Sequence, residues 1–155
     1  MITIQMVNDA DEKSRICNQI LRGLPKWFGM EAGIVDYVEQ VKKLPLFAAY
    51  EKSEAVGFLA VKEHNSYTAE LCVMGVREDR HRQGIGHALV ERAERYCMEK
   101  QYWFFTVKTL DSSAHSEGYA RTRAFYHAMG FRPLEMLPLY WDEVNPCLFM
   151  AKSLK

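Results

Sequence analysis

The chain opens on "ITIQMV", where apolar and polar residues alternate with a period of two, as in a half-buried β-strand. The period then changes. In "NDADEKSRICNQIL", Ile16, Cys17, Ile20 and Leu21 share one face of a helix that Asn8 or Asp9 can cap. "RGLPKWFGMEAG" (22–33) is punctuated by Gly and Pro and reads as a loop, after which "IVDYVEQVKK" aligns Ile34, Tyr37, Val38 and Val41 on a second helix. Three strands follow, "LFAAYE", "AVGFLAVKEH" and "TAELCVMGV", and the polar turns "KSE" and "NSY" between them suit an antiparallel meander.

A helix is expected from Gly86 to Lys100, with Ala88, Leu89, Arg92, Ala93, Tyr96 and Cys97 at helical spacing. "YWFFTVKTL" is apolar enough for a central strand, and "YARTRAFYHAM" gives a last helix stopped by Gly130. "FRPLEMLPLYWDEVNPCLFMAKS" fits two further strands joined around "WDEVNP". No repeat, low-complexity stretch or linker interrupts the series, so the expectation is one mixed α/β domain spanning 1–155.

Composition narrows the function classes. Of the 155 residues, 48% are hydrophobic and 26% charged, enough apolar material for a packed core. Lysine plus arginine equals aspartate plus glutamate, 20 each, which argues against a nucleic-acid or anionic-membrane binder. Cysteines at 17, 72, 97 and 147 have the spacing of neither a disulfide framework nor a zinc site. With no signal peptide or membrane span in the pattern, a reducing cytoplasm is the default. His64, His81, His87, His115 and His127 show no ligand spacing, so no metal is expected.

The chemistry concentrates in "RHRQGIGHALV" (80–90), where two glycines two residues apart separate a strand from a helix. Three readings compete. A tight turn without a ligand is the plainest. A dinucleotide fingerprint would need glycine at Leu89, and a P-loop would need Gly-Lys-Ser/Thr. The third is a pyrophosphate turn at the positive end of a helix, where side chains at 84 and 86 would obstruct the anion. Gly75, inside the preceding strand, marks a bulge or a close approach of backbone and favours the third reading.

At these residues the chain resembles the GNAT superfamily of acetyl-CoA-dependent N-acetyltransferases. "HRQGIG" matches the family's Arg/Gln-x-x-Gly-x-Gly/Ala except at its first position, His81. "FYHAMGF" (125–131) is similar to the family's Phe-Tyr-x-x-x-Gly-Phe, and Tyr119 stands where an Asn is frequent. The order of elements agrees over nearly the whole chain. The resemblance implies a mostly antiparallel sheet with helices on both faces and a V-shaped gap where "CVMGV" bulges away from "WFFTVKT". Acetyl-CoA would lie there, its pantetheine arm along Met74, Gly75 and Val76, and its pyrophosphate on the amides of Arg82, Gln83, Gly84, Ile85, Gly86 and His87.

The implied reaction is direct acetyl transfer to a primary amine, of a small molecule or of a peptide, within a ternary complex. Tyr126 is the candidate acid for the departing thiolate, since a phenol (about 10) holds its proton above the thiol range (about 8.5). Glu70, in an otherwise apolar strand, is the candidate base if burial raises its proton affinity, and a water chain is the alternative. Alternation places Glu70 with Cys72 and Met74, opposite Leu71 and Val73. The backbone N–H of Val76 or its neighbour would meet the oxyanion. "LPKWFG" and "LYWDE" set aromatics near acids, and Asp36, Glu70, Glu117 or Asp142 could attract a cationic amine, although core anchoring explains those aromatics equally well. A non-catalytic coenzyme-binding module is the rival function, and a homodimer is the default assembly.

Overall fold

The computed structural model describes all residues, 1–155. Seven strands and four helices follow in the order β1 (Ile2–Val7), α1 (Ala10–Arg22), α2 (Glu31–Gln40), β2 (Leu46–Glu51), β3 (Glu54–Glu63), β4 (Thr68–Val76), α3 (Ile85–Glu99), β5 (Phe104–Leu110), α4 (Glu117–Ala128), β6 (Arg132–Asp142) and β7 (Asn145–Ser153). The strands form one mixed sheet of order β1-β2-β3-β4-β5-β7-β6, an α/β fold. The β4–β5 ladder is parallel, and β1–β2, β2–β3, β5–β7 and β6–β7 are antiparallel. Residues 1–62 and 72–96 make one compact unit, and residues 63–71 and 97–155 make another.

In the first unit the helices cover both faces of the strands. α1 and α2 bury Ile16, Cys17, Ile20, Leu21 and Ile34 against Leu46, Ala48, Phe58, Ala60 and Val73. Gly57, next to Phe58 and so on the other face, looks toward Ile85 and Leu89 of α3. Asp9 caps α1, its carboxylate accepting the N–H of Glu12 at 2.9 Å. α2 begins three residues before the expected Ile34, at Glu31, because the exposed Gly33 is accommodated inside the helix. It ends in a 3-10 turn over Val41–Lys43. Burial alternates along β4 from Leu71 to Val76, with Val73 in the α1–α2 core and the half-buried Cys72 touching it.

The second unit is built on the register of β5. Glu70 of β4 lies opposite Thr106, and Lys108 two residues on lies opposite Phe149 of β7. β5 starts at Phe104 rather than Tyr102, because the N–H groups of Trp103 and Phe104 both turn to the carbonyl of Tyr67. α4 starts two residues before the expected Tyr119. The Ser116 hydroxyl caps it by accepting the N–H of Tyr119. Tyr126, Phe131 and Phe105 make its aromatic core, with Tyr126 edge-on to Phe131 at 5.7 Å.

Candidate functional site

In the first unit the end of β4 leads through a short 3-10 turn (Glu78–Arg80) into residues 81–84 and then α3. Arg82 and Gly84 both take the left-handed conformation, φ +64° and +79°. Gly84 is the residue before the helix, and its carbonyl accepts the first helical bond, from Ala88 N–H at 3.0 Å. From Arg82 to His87 no backbone amide finds a protein acceptor. Six successive donors therefore stand at the positive end of a fifteen-residue helix with no side chain capping them. A Cβ added at Gly84 would meet no atom within 4 Å, so the protein itself does not require the open space beside that residue. The turn fits an anion.

Gly75 has a different explanation from the one its strand position suggests. A Cβ there would stand 3.0 Å from Leu24 Cδ1 and 3.1 Å from Ile20 Cγ2, so a side chain at this position would crowd the packing of α1 and the residues after it. His81, which departs from the family motif, ties the turn to the strand. Its Nε2 lies 2.8 Å from the carbonyl oxygen of Val76, and its ring meets Trp27 edge-on at 5.5 Å. This link had no signal in the motif, which expects arginine or glutamine at that position.

Of the other candidates in this unit, Trp27 and Phe28 pack against the core, and Asp36 is bonded to Gln40. A hollow of ≈ 430 Å³ beside α1 is walled in part by Glu54, Glu78 and Asp79. All three carboxylates already have cations, Arg77 for Glu54 and Asp79 and Lys26 for Glu78.

In the second unit Glu70 is buried, at 8% exposure, but it is not a solitary carboxylate. The Lys108 ammonium donates to both of its oxygens, at 3.1 and 3.2 Å, and His64 Nε2 lies 2.5 Å from Oε1. The rings of Tyr140 and Phe149 flank the ammonium at 5.1 and 5.4 Å. Burial pulls the Lys108 proton affinity down, but the charge and hydrogen bonds of Glu70 outweigh it and raise it above the ordinary value. Burial also pushes the neighbouring Cys147 thiol up to about 11. Neither His64 nor Lys108 was among the sequence candidates. The six-residue spacing of His64 and Glu70 signals nothing until the turn at 64–67 folds the chain back.

Tyr126 is 6% exposed and packs on Phe125 and Phe131. Burial drives the hydroxyl of Tyr119, the residue at the motif's Asn position, up to about 12. Tyr140 and Trp141 are exposed, and the Asp142 carboxylate is spent on the β6–β7 turn, accepting the N–H groups of Val144 and Asn145. No group of three or more His, Cys, Asp or Glu side chains is placed to hold a metal. No helix is long and apolar enough to cross a membrane.

The family model described as an acetyltransferase (GNAT) domain matches residues 42–133. No curated protein matches. Among solved structures, a GNAT-family acetyltransferase from Desulfovibrio desulfuricans superposes with a TM-score of 0.82 at 14% identity, covering 100% of both chains. The ribosomal-protein-S18-alanine N-acetyltransferase of Escherichia coli does so with 0.79 at 17%, over 100% of this chain and 95% of its own. An aminoglycoside 6'-N-acetyltransferase complexed with coenzyme A gives 0.77 at 19%, over 99% and 97%. At these identities the likeness is one of fold.

Proposed function

The chain belongs to the GNAT acetyltransferase family, and is by that membership an acetyl-CoA-dependent N-acetyltransferase; we propose that its acceptor is the primary amine of a small molecule, attacking directly in a ternary complex. The observation that carries the coenzyme's side of this reading is the run of unpartnered amides from Arg82 to His87. An anion with several oxygens satisfies such a run, and a pyrophosphate has them. Met74, Gly75 and Val76 are the proposed partners of the pantetheine arm, and the whole chain is proposed to work as one domain.

Acetyl-CoA supplies an activated acyl group when bound. The protein has to hold it, take a proton from the amine, and return one to the thiolate. Tyr126 is the proposed acid, since a phenol keeps its proton at neutral pH and can give it to sulfur. The proposed basic site on the acceptor side is built around Glu70. Four free cysteines suit the reducing cytoplasm we propose as its location.

Calorimetry with coenzyme A on the wild type and on Gly84→Val tests the reading. Valine at a left-handed residue is strained, and its side chain would fill the space left for phosphate. Affinity should fall at least about tenfold while circular dichroism stays native. Wild-type affinity in a folded Gly84→Val protein removes the pyrophosphate from this turn. Thiol release with acetyl-CoA and a panel of polyamines, aminoglycosides, amino acids and peptides then identifies the acceptor, and turnover confined to peptides overturns the small-molecule assignment.

A further inference from the structure

We propose that His64 is the group that takes the proton from the attacking amine, and that Glu70 acts behind it as the carboxylate that orients the imidazole; this rests on the acetyl-transfer reading above and deepens it. The geometry assigns the roles. Both Glu70 oxygens accept from Lys108, and Oε1 also faces His64 Nε2 at 2.5 Å. A carboxylate engaged by an ammonium and an imidazole has little freedom to approach a substrate. The imidazole does have it.

His64 follows β3 at the mouth of the 64–67 turn, with its side chain 36% exposed, whereas that of Glu70 is 10% exposed. A carboxylate can only accept, so its contact fixes the hydrogen on Nε2 and leaves the Nδ1 lone pair available. Nδ1 has no partner in the protein. A buried carboxylate and a partly exposed imidazole held by it form the arrangement of a general base with its orienting acid.

The charges around the pair are few. Lys108 comes from β5, Tyr140 from β6 and Cys147 from β7, each facing Glu70 or its ammonium. Glu63, beside His64 in the chain, is held by the Tyr102 hydroxyl. The Glu70 carboxylate lies between the Lys108 ammonium and the imidazole, where its negative charge supports the imidazolium formed during the reaction.

The amine lone pair forms the N–C bond at the acetyl carbon, and the proton released from nitrogen passes to Nδ1 of His64. The tetrahedral adduct collapses with cleavage of the C–S bond, whose electron pair goes to sulfur. Tyr126 supplies the proton that completes the thiol. His64 then loses its proton to solvent, and the tyrosinate regains one.

The test compares wild type, His64→Gln and Glu70→Gln by thiol release with acetyl-CoA and three probes: spermidine, kanamycin and a peptide beginning with alanine. In His64→Gln, kcat should fall about 100-fold or more at neutral pH, KM should hold, and the acidic limb of the pH–rate profile should vanish. In Glu70→Gln the limb should survive and move to lower pH, because the imidazolium loses its anionic neighbour beside Lys108. A merely structural histidine would leave the limb in place, and that result overturns the proposal. Nitrogen NMR on histidine-labelled protein adds a readout independent of turnover: His64 should carry its hydrogen on Nε2, and the Nδ1–H tautomer also overturns the proposal. No thiol release with any probe brings down the acetyl-transfer reading itself, and the base falls with it.

Discussion

Gly75 lies directly against Leu24: a Cβ on that glycine would sit 3.0 Å from the leucine Cδ1, with Ile20 Cγ2 close behind. A methyl at this position would press on both side chains, which must give way by a few tenths of an ångström to admit it. Gly75→Ala should destabilise the fold by about 2 kcal/mol, because an added methyl in a filled core forces its neighbours off their rotamers. For a chain of this size that lowers Tm by about 6 °C. Leu24→Ala in the same chain should recover part of the loss, and a thermal double-mutant cycle with no coupling between the two sites would disprove the contact's importance.

Much of the architecture could be read from periodicity, because burial leaves its trace within each element. Ile16, Cys17, Ile20 and Leu21 are all buried on α1, as their spacing implies. Element ends moved where local hydrogen bonds decided the matter: Ser116 caps α4 early, and Tyr67 draws Trp103 and Phe104 into a turn. The glycine turn before α3 was legible because Gly84 records a backbone requirement at its own position. The Glu70 cluster was not. Lys108 is thirty-eight residues away, and only the parallel register of β4 on β5 brings it to the carboxylate. A sequence records which residues are apolar far more clearly than which polar residues will meet.

Tyr126→Phe removes one oxygen and keeps the ring, so its edge-on contact with Phe131 should persist. Acetyl-CoA affinity by calorimetry should stay within about twofold, while kcat falls by about 10²- to 10³-fold, or 3–4 kcal/mol of transition-state stabilisation. Unchanged turnover would show that the thiolate leaves unaided. Weakened binding with normal turnover would make the tyrosine a packing residue.

Lys108→Met should cost about 3 kcal/mol in urea unfolding at neutral pH, because it strands a buried carboxylate. The pH dependence has a definite sign. The ammonium's proton affinity is raised in the folded state above its ordinary 10.5, so its contribution is complete below that pH. It is lost as pH climbs through the higher folded value. The stability gap between wild type and variant should therefore be flat from neutrality to about pH 10 and shrink beyond it. A gap that persists undiminished well above about pH 11 would contradict the assignment of the effect to the Lys108 charge.

The six unpartnered amides at the head of α3 also bear on how long the molecule survives in a cell. Whatever anion fills them binds the native chain and has nothing to grip once the helix is undone. Saturation therefore drains the unfolded population that proteases attack, by about 2.7 kcal/mol when the ligand stands at a hundred times its dissociation constant. If that anion is coenzyme A, the protein's abundance is tied to the metabolic supply of its own cosubstrate: starved of coenzyme, the chain is degraded faster, with no regulator needed.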